Sequence, residues 1–428
     1  MNPSALRAPK LVFVNRYFFP DQSATSQMLS DLAFGLAARG RDVYVVCSRQ
    51  RYDDASAALS PHETVDGVTI HRVVSSRFGR AHLAGRALDY ATFYLACAVR
   101  LVRLLSRGDT VVLLTDPPLL SILGLLAAKL TGAHLVNWLH DVYPEIASRL
   151  GANPLPGPLD RWLCRWRNRS LARARMNVVL GRRMGETIAA CGITPERIRV
   201  IENWASVTDA GPKPACDSEL RARLGLAGKF VVGYSGNLGR AHEYRTLLEA
   251  AGLLAAETDL AFLMVGGGAG MTALRRMSAE RGLGNLHFHP YVTRAELPDS
   301  LAAADVHLLS LLPALEGFIV PSKFYGILAS ARPVVFVGDP QGEVARIIHE
   351  AQLGEAQIGE AVSVGDAPGL ARVLRGLRAD PARCQALGSA GHRLYCRRYT
   401  AIRALEQWTQ VLEVPAPPDS IVVDLRGS

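Results

Sequence analysis

Residues 230–240 read FVVGYSGNLGR, an apolar run followed by a turn that contains two glycines. An apolar run of this length is typical of a strand buried in a parallel sheet. Gly236 and Gly239 permit a sharp turn into a helix, and they let the backbone approach a diphosphate whose charge would meet the N–H groups at the helix start. The stretch therefore predicts an α/β domain with a phosphate site after this strand, although an ordinary strand-to-helix turn has the same pattern.

Short apolar runs alternate with helix-length stretches along most of the chain. The first half contains six predicted strands, at 11–14, 42–47, 68–74, 110–114, 134–139 and 176–180. A segment with Gly211, Pro212 and Pro214 interrupts the pattern, and five more predicted strands follow at 230–234, 261–265, 286–289, 306–310 and 333–337. Strand-helix-strand order favours parallel sheets that are covered by helices on both faces.

The length of 428 residues suggests two domains of roughly 200 residues each. We predict an α/β fold of two Rossmann-like, doubly wound domains, at 1–205 and 206–400, which face a central cleft. A helix at 401–412 would return to the first domain, and 413–428 would form a mobile tail. The carboxyl ends of the strands in such sheets border the crevices in which ligands bind.

Positive charge is concentrated in the first half of the chain. Residues 1–205 contain 26 Lys and Arg against 16 Asp and Glu, whereas residues 206–428 contain 22 against 23. Such asymmetry indicates a surface that meets anionic lipid, nucleic acid or phosphate, and a generic arginine-rich composition is the alternative. Seven scattered cysteines without a CxxC pair indicate neither a disulfide framework nor a zinc site, and they fit a reducing compartment.

Seven motifs in a fixed order carry a family resemblance. They are YFFPD (17–21), HDVYPE (140–145), YSGNLGR (234–240), VGGG (265–268), HPYV (289–292), EGF (316–318) and PSKFY (321–325). Together they resemble the group 1 retaining glycosyltransferases of GT-B fold, and within them the enzymes that build bacterial exopolysaccharide and O-antigen, including colanic-acid-type fucosyltransferases. The resemblance covers roughly residues 10–412.

The resemblance implies a UDP- or GDP-sugar donor on the second domain and a lipid-linked or oligosaccharide acceptor on the first. It implies neither a cofactor nor a metal, because helix termini and basic side chains would neutralise the leaving diphosphate. The catalytic candidates are Glu316, His140 and Asp141. Candidates for donor binding are Gly236, Asn237, Gly239, Arg240, His242, Gly266, Tyr291, Ser322, Lys323 and Glu343.

Each catalytic candidate has an expected role. Glu316 would accept hydrogen bonds from sugar hydroxyls and stabilise positive charge on the ring, and a solvated loop carboxylate is its alternative. His140 would orient donor and acceptor at a strand end, although many such histidines are merely hydrogen-bonded to a neighbouring carboxylate. Asp141 would fix the imidazole or receive an acceptor hydroxyl. Lys323, Arg240 and a helix that begins near Ser322 would meet the diphosphate.

The chain departs from the family pattern at three places. Many relatives carry Arg where Asn237 stands and Lys where His242 stands. The usual second glutamate is missing, because the two positions at which it is expected are Phe324 and Gly326. Glu343 is the candidate substitute for its contact with ribose.

Residues 160–175 contain six arginines and two tryptophans. Arg161, Arg165, Arg169 and Arg173 recur every four residues, on much of the same helical side as Trp162 and Trp166. Such a stripe suits the headgroup region of an anionic membrane, and arginine stacked on tryptophan at a domain surface is the alternative. We therefore expect a cytoplasmic protein bound peripherally to the inner face of the plasma membrane.

Other functions fit the sequence less well. A sugar-nucleotide epimerase of the same fold would need no acceptor and would have little use for a basic first domain. A non-catalytic nucleotide-sugar sensor or scaffold is the alternative from another class. Nucleic acid is not an expected partner, because the basic and aromatic interleaving of known modules is absent outside residues 160–175.

Overall fold

The structure is a computed structural model that describes residues 8–54, 56–78, 83–152, 156–205, 212–354 and 356–413. The chain forms two compact units. The first comprises Met1–Glu202 together with Ala401–Ser428, and the second comprises Asn203–Thr400. Residues 414–428, which contain almost all of the predicted tail, lie outside the described part.

The first unit contains an eight-stranded sheet in the order β3-β4-β2-β1-β5-β6-β7-β8. Its strands are β1 (Leu11–Val14), β2 (Val43–Ser48), β3 (His62–Val65), β4 (Val68–Val73), β5 (Thr110–Leu113), β6 (His134–Leu139), β7 (Met176–Val179) and β8 (Ile198–Val200). All pairs are parallel except β3 and β4, which form an edge hairpin. Its helices are α1 (Ala24–Ala38), α2 (Leu83–Leu104), α3 (Leu120–Thr131), α4 (Glu145–Arg149), α5 (Gly157–Arg173) and α6 (Arg182–Ala190), and the last helix of the chain also belongs to this unit.

The second unit contains a six-stranded parallel sheet in the order β11-β10-β9-β12-β13-β14. Its strands are β9 (Phe230–Asn237), β10 (Leu260–Gly267), β11 (Leu286–His289), β12 (Val306–Ser310), β13 (Val334–Gly338) and β14 (Gly359–Ser363). Its helices are α7 (Glu219–Arg223), α8 (Arg245–Leu253), α9 (Ala269–Glu280), α10 (Leu297–Ala302), α11 (Lys323–Ala329), α12 (Glu343–Gly354), α13 (Ala367–Ala379) and α14 (Pro381–Arg398). Strand order reverses between β9 and β12, which is where such sheets bind ligands.

The sheet of the second unit is buried on both faces. Val232 of β9 and Phe262 of β10 belong to one apolar cluster, whereas Val231 and Ala261, one residue earlier, belong to another. Since side chains alternate between the faces of a strand, the two clusters lie on opposite faces. The predicted α/β class with two Rossmann-like sheets is therefore confirmed.

Three strands were not among those predicted, and all three lie at sheet edges. β3 reads HETV with every residue at least partly exposed, β8 has only three residues, and β14 reads GEAVS. Edge strands are exposed along one side, so they lack the continuous apolar run that marks a buried parallel strand.

The last helix, α15 (Ala401–Glu413), packs within the first unit. Trp408 is fully buried, and its ring centroid lies 4.8 Å from that of Trp138 in β6. Leu405 covers Gly35 of α1, where an added Cβ would lie 2.8 Å from the leucine Cδ2. Apolar packing therefore holds α15 on this unit.

The ends of β9 and β10 approach each other too closely for side chains. A Cβ at Gly266 would lie 2.2 Å from the carbonyl oxygen of Gly236, and a Cβ at Gly268 would lie 2.2 Å from Asn237 Oδ1. Gly236, Gly266 and Gly268 have φ values of 114°, 125° and 110°, which L side chains rarely adopt. The three glycines are thus required by both conformation and space.

We expect Gly268→Ala to destabilise the second unit by about 1–3 kcal/mol, because it combines a positive φ with a clash against Asn237. Gly252→Ala in α8 is the matched control, since its Cβ would meet nothing within 4 Å and alanine favours a helix by about 0.5–1 kcal/mol. Urea unfolding followed by circular dichroism measures both changes. Equal stabilities of the two variants would contradict the packing argument.

Candidate functional site

Predicted residues of the second unit collect at the carboxyl ends of its central strands. β9 ends at Asn237, β10 at Gly267 and β12 at Ser310, and α11 begins at Lys323. Parallel pairing sets Gly236 opposite Gly266. We call Gly236, Asn237, His242, Gly266 and Lys323 the strand-end cluster.

Lys323 is the central cation of the strand-end cluster. Its stem lies on Gly236, where an added Cβ would be 2.7 Å from the lysine Cε. Its Nζ donates to the carbonyl oxygen of Asn237 at 2.9 Å and lies 5.4 Å from the ring centroid of Tyr234. Burial lowers the pKa of Lys323 to about 8, because a desolvated ammonium is less favourable than a solvated one.

His242 lies between Lys323 and the end of β12. Its Nε2 is 3.3 Å from Lys323 Nζ, and its Nδ1 is 2.6 Å from the carbonyl oxygen of Ser310. A carbonyl only accepts, so Nδ1 carries the proton and Nε2 presents a lone pair to the ammonium. Burial and the charge of Lys323 lower the pKa of His242 to about 3, which keeps the imidazole neutral.

Two more predicted residues lie in the turn that follows β9. Gly239 is partly buried beside the amide of Asn237, and Arg240 is exposed. The described residues include no recorded hydrogen-bond or ion-pair partner for the Arg240 guanidinium. Arg240 is therefore a solvated cation available to an anion.

The first turn of α11 uses two of its own N–H groups internally. Ser322 is its N-cap residue and makes no side-chain capping hydrogen bond. The N–H groups of Phe324 and Tyr325 donate to Pro321 and Ser322 within the first turn. The contact of Ser322 with a diphosphate therefore stays a prediction.

Glu316 binds the N-terminus of α12. Its Oε2 accepts from the N–H of Glu343 at 3.1 Å, and a Cβ at Gly342 would lie 2.2 Å from its Oε1. A carboxylate at a helix N-terminus is stabilised by the helix dipole. The carboxylate of Glu343 is buried and pairs with Arg346, so its contact with ribose stays a prediction.

Tyr291 presents an aromatic surface beside the end of β10. Its side chain is 61% exposed, and a Cβ at Gly267 would lie 2.8 Å from its Cε2. The absence of a side chain at Gly267 thus lets the ring lie against the strand end.

His140 and Asp141 follow β6 in the first unit. His140 is buried, its ring lies 4.7 Å from that of Trp138, and burial lowers its pKa to about 3. Its Nε2 has no hydrogen-bond partner within the described residues, so packing against Trp138 orients this side of the ring. The role of Asp141 in fixing the imidazole stays a prediction. Burial and the neighbouring carboxylate of Asp116 raise the pKa of Asp141 to about 7.

Sequence reasoning missed several members of these sites. Asp116 follows β5, and only the strand order, which sets β5 beside β6, brings it near Asp141. Tyr234 donates its hydroxyl to the carbonyl oxygen of Asn237 at 3.0 Å. Gly268 could have been identified from the sequence, because it is the last residue of the VGGG motif.

The arginines of the segment 160–175 are only partly exposed. Arg167 is buried in an ion pair with Glu145, and buried Arg175 donates to the carbonyl oxygen of Leu412 at 3.3 Å. Arg161, Arg165 and Arg169 are exposed, and Arg169 lies 5.6 Å from the ring of Trp166. Two of the six arginines are therefore structural.

The described residues contain neither a cluster of metal ligands nor a membrane-spanning helix. No group of three or more His, Cys, Asp and Glu side chains there could hold a metal ion. No helix in the same ranges is long and apolar enough to cross a membrane.

Two family profiles match the chain. The profile of Glycosyltransferase Family 4 matches residues 25–208, and that of Glycosyl transferases group 1 matches residues 217–393. The probable glycosyltransferase WbjE of Pseudomonas aeruginosa is 30% identical over 278 residues, which are 65% of this chain and 69% of the relative. The putative colanic acid biosynthesis glycosyl transferase WcaI of Escherichia coli (strain K12) is 28% identical over 226 residues, 52% of this chain and 55% of the relative.

Solved structures share the fold at low identity. Anabaena Alr3699/HepE in complex with UDP has a TM-score of 0.69 at 17% identity, and the match covers 94% of this chain and 99% of that one. WaaG, a glycosyltransferase involved in lipopolysaccharide biosynthesis, has a TM-score of 0.64 at 17% identity, with 95% and 100% covered. The chain therefore belongs to the group 1 glycosyltransferases and is an enzyme of the two-domain GT-B fold.

Proposed function

We propose that the chain transfers a sugar from a UDP- or GDP-sugar to a lipid-linked or oligosaccharide acceptor in cell-surface polysaccharide synthesis, with retention at the anomeric carbon. The observation that carries the proposal is the ammonium of Lys323, held above Gly236 at the strand-order switch of the second unit. The name of WcaI refers to colanic acid biosynthesis, and HepE is described in complex with UDP and with UDP-glucose. These relatives support a nucleotide-sugar donor and a role in polysaccharide synthesis.

The donor diphosphate would lie against Lys323 and Arg240. An ammonium in a desolvated site interacts with a phosphate more strongly than one in water does. The glycine turns at 236 and 266 allow the diphosphate to approach the backbone, and the exposed ring of Tyr291 offers a stacking surface for the base. Two cations would supply the charge that a divalent metal supplies in other transferases, so we propose metal-independent turnover.

The transfer step needs groups for both developing charges. Lys323 would stabilise the departing diphosphate, and Glu316 the positive charge that builds on the sugar ring. Neutral His140 would orient the reacting sugars. Asp141, whose pKa of about 7 lies near neutral pH, would receive the proton of the acceptor hydroxyl.

We expect Glu316→Gln to lower turnover by about 10²–10³, because it removes a charge aimed at the transition state. The glutamine keeps an oxygen that can accept from Glu343 N–H, so donor affinity should change less. The measurement is release of UDP or GDP from a panel of nucleotide sugars, in EDTA, with and without polyprenyl-diphosphate saccharides.

The matched control is Glu350→Gln, which removes a carboxylate from the same α12 that Glu316 caps. It should leave turnover unchanged. Near-normal turnover of a folded Glu316→Gln would remove the catalytic assignment. Activity that is lost in EDTA and restored by Mg²⁺ or Mn²⁺ would overturn metal independence, and sugar conversion without acceptor would indicate an epimerase.

Affinity for the nucleoside diphosphate should fall as pH rises above about 8. Binding favours the charged ammonium, and Lys323 loses its proton in the free protein near pH 8, so affinity is full below that pH and declines above it. Phosphate groups with a second pKa of about 6 are already ionised in this range. Calorimetric titration between pH 7 and 10 tests this, and Lys323→Met should bind weakly with no such decline.

We also propose peripheral binding to the inner face of the plasma membrane, through a surface of the first unit. The adjacent helices α2, α3 and α5 each carry exposed apolar side chains, which include Leu95, Val99 and Val102 on α2, Leu126 and Leu130 on α3, and Leu159 and Trp162 on α5. Exposed basic residues lie on the same helices, namely Arg100, Arg103, Lys129, Arg161, Arg165 and Arg169. Aromatic, aliphatic and basic side chains together suit an anionic headgroup region.

We expect the triple change of Arg161, Arg165 and Arg169 to Gln to weaken binding to anionic vesicles about a hundredfold, because each basic residue at such a surface contributes roughly 1 kcal/mol. Co-sedimentation with phosphatidylglycerol vesicles measures this. The same triple change at Arg393, Arg397 and Arg398, exposed on α14 of the second unit, is the control. Equal binding of wild-type protein to neutral and anionic vesicles, or to neither, would refute the surface.

A further inference from the structure

The ammonium of Lys323 has two acceptors within the protein. One is the carbonyl oxygen of Asn237 at 2.9 Å, and the other is Nε2 of His242 at 3.3 Å. A lysine ammonium has three N–H donors, so one is left for a ligand. The direction of that third donor is set by the two acceptors that hold the other two.

We propose that His242 is a positioning residue, which orients Lys323 toward the donor diphosphate and does not bind the diphosphate itself. This inference rests on the proposed nucleotide-sugar site. It changes the role predicted for His242, from one of the groups around the phosphate to the group that fixes the phosphate-binding cation.

The hydrogen-bond capacity of His242 carries the argument. A neutral imidazole has one donor and one acceptor. The donor, Nδ1–H, is used by the carbonyl oxygen of Ser310 at 2.6 Å, and the acceptor, Nε2, faces the ammonium. No N–H remains for a phosphate oxygen, so the neutral ring can act on a diphosphate only through Lys323.

The protonated ring is disfavoured at this place. A second proton would lie on Nε2, directly opposite the ammonium of Lys323, and the two positive charges would repel. Burial acts in the same direction, and together they lower the pKa of His242 to about 3. Ser310 is the last residue of β12, and Lys323 is the first residue of α11. The His242 ring therefore links the end of a central strand to the cation.

The alternative is that His242 has a purely structural role. The bond from His242 to Ser310 could simply tie the turn after β9 to β12, with the contact to Lys323 incidental. Asn and Gln separate the two roles, because the asparagine amide replaces Nδ1 and the glutamine amide replaces Nε2. His242→Asn retains a donor to Ser310 but withdraws the acceptor from Lys323, and His242→Gln does the reverse.

The experiment measures dissociation constants of UDP and GDP by calorimetry at pH 7 for the full chain. We expect His242→Asn to weaken binding of the nucleotide that the wild-type protein prefers by about tenfold or more, which corresponds to about 1.4 kcal/mol. His242→Gln should stay within about threefold. In a Lys323→Met background, His242→Asn should cost nothing further, because a residue that acts through Lys323 is coupled to it.

Three results would overturn the inference. Weaker binding by His242→Gln than by His242→Asn would assign His242 to the structural role. Losses that add in the Lys323→Met background would mean that His242 binds the diphosphate directly. A wild-type chain that binds neither UDP nor GDP would remove the proposed function, and the inference with it.

A measurement on the wild-type protein does not depend on how the variants fold. Nitrogen-15 NMR of histidine-labelled protein reports which ring nitrogen carries the proton, and His242→Gln assigns the resonance. We expect Nε2 of His242 to be unprotonated between pH 6 and 8. A protonated Nε2 in this range would overturn the inference.

Discussion

The contact on which the second unit's site depends is that of a desolvated ammonium with two fixed acceptors. Taking Lys323 out of water disfavours its charge, and its pKa of about 8 reflects this. The acceptors that offset the loss are the carbonyl oxygen of Asn237, the last residue of β9, and Nε2 of His242 in the turn after β9, while the lysine comes from α11. Gly236 has no side chain in the space that the lysine stem fills. Moving any one of these elements would deprive this partly buried cation of at least one of its two acceptors.

The two units supply different kinds of group at their strand ends. The second unit has a fixed cation, a solvated cation at Arg240 and a carboxylate seated on a helix N-terminus. The first unit has a neutral imidazole at His140 and a carboxyl group at Asp141 whose pKa is raised to about 7. A fixed cation suits a leaving diphosphate, and a carboxyl that titrates near neutrality suits proton transfer. The difference fits the proposed transfer, in which charge would separate on the donor while a proton would leave the acceptor.

Sequence patterns predicted the central strands and named most of the polar candidate residues, but they did not predict the contacts between those residues. Buried parallel strands such as β9 are continuous apolar runs, so their ends, with Gly236 and Gly266, could be located. Backbone acceptors have no such signature, which is why the carbonyl groups of Asn237 and Ser310 were not foreseen. The nearness of Asp116 to Asp141 required the order of β5 and β6 in the sheet. The pairing of Glu343 with Arg346 was within reach, because residues three apart on a helix are neighbours.

Burial distinguishes the two positions, 324 and 326, at which the second glutamate is expected. A spacing of eight residues after Glu316 leads to Phe324, which is fully buried with its ring 5.4 Å from Tyr325 and 6.4 Å from Tyr399. A carboxylate in that apolar position would lose its hydration with no charged partner in place, so it would be strongly disfavoured. Gly326 differs, because an added Cβ there would meet only Leu301, at 4.0 Å. Position 326 is thus the one of the two at which an added Cβ has room, and with glycine there α11 carries no carboxylate three residues after Lys323. Asn237 and His242 are uncharged as well, so Lys323 supplies the positive charge of the strand-end cluster. The two acceptors that orient its ammonium, Asn237 O and His242 Nε2, therefore matter more.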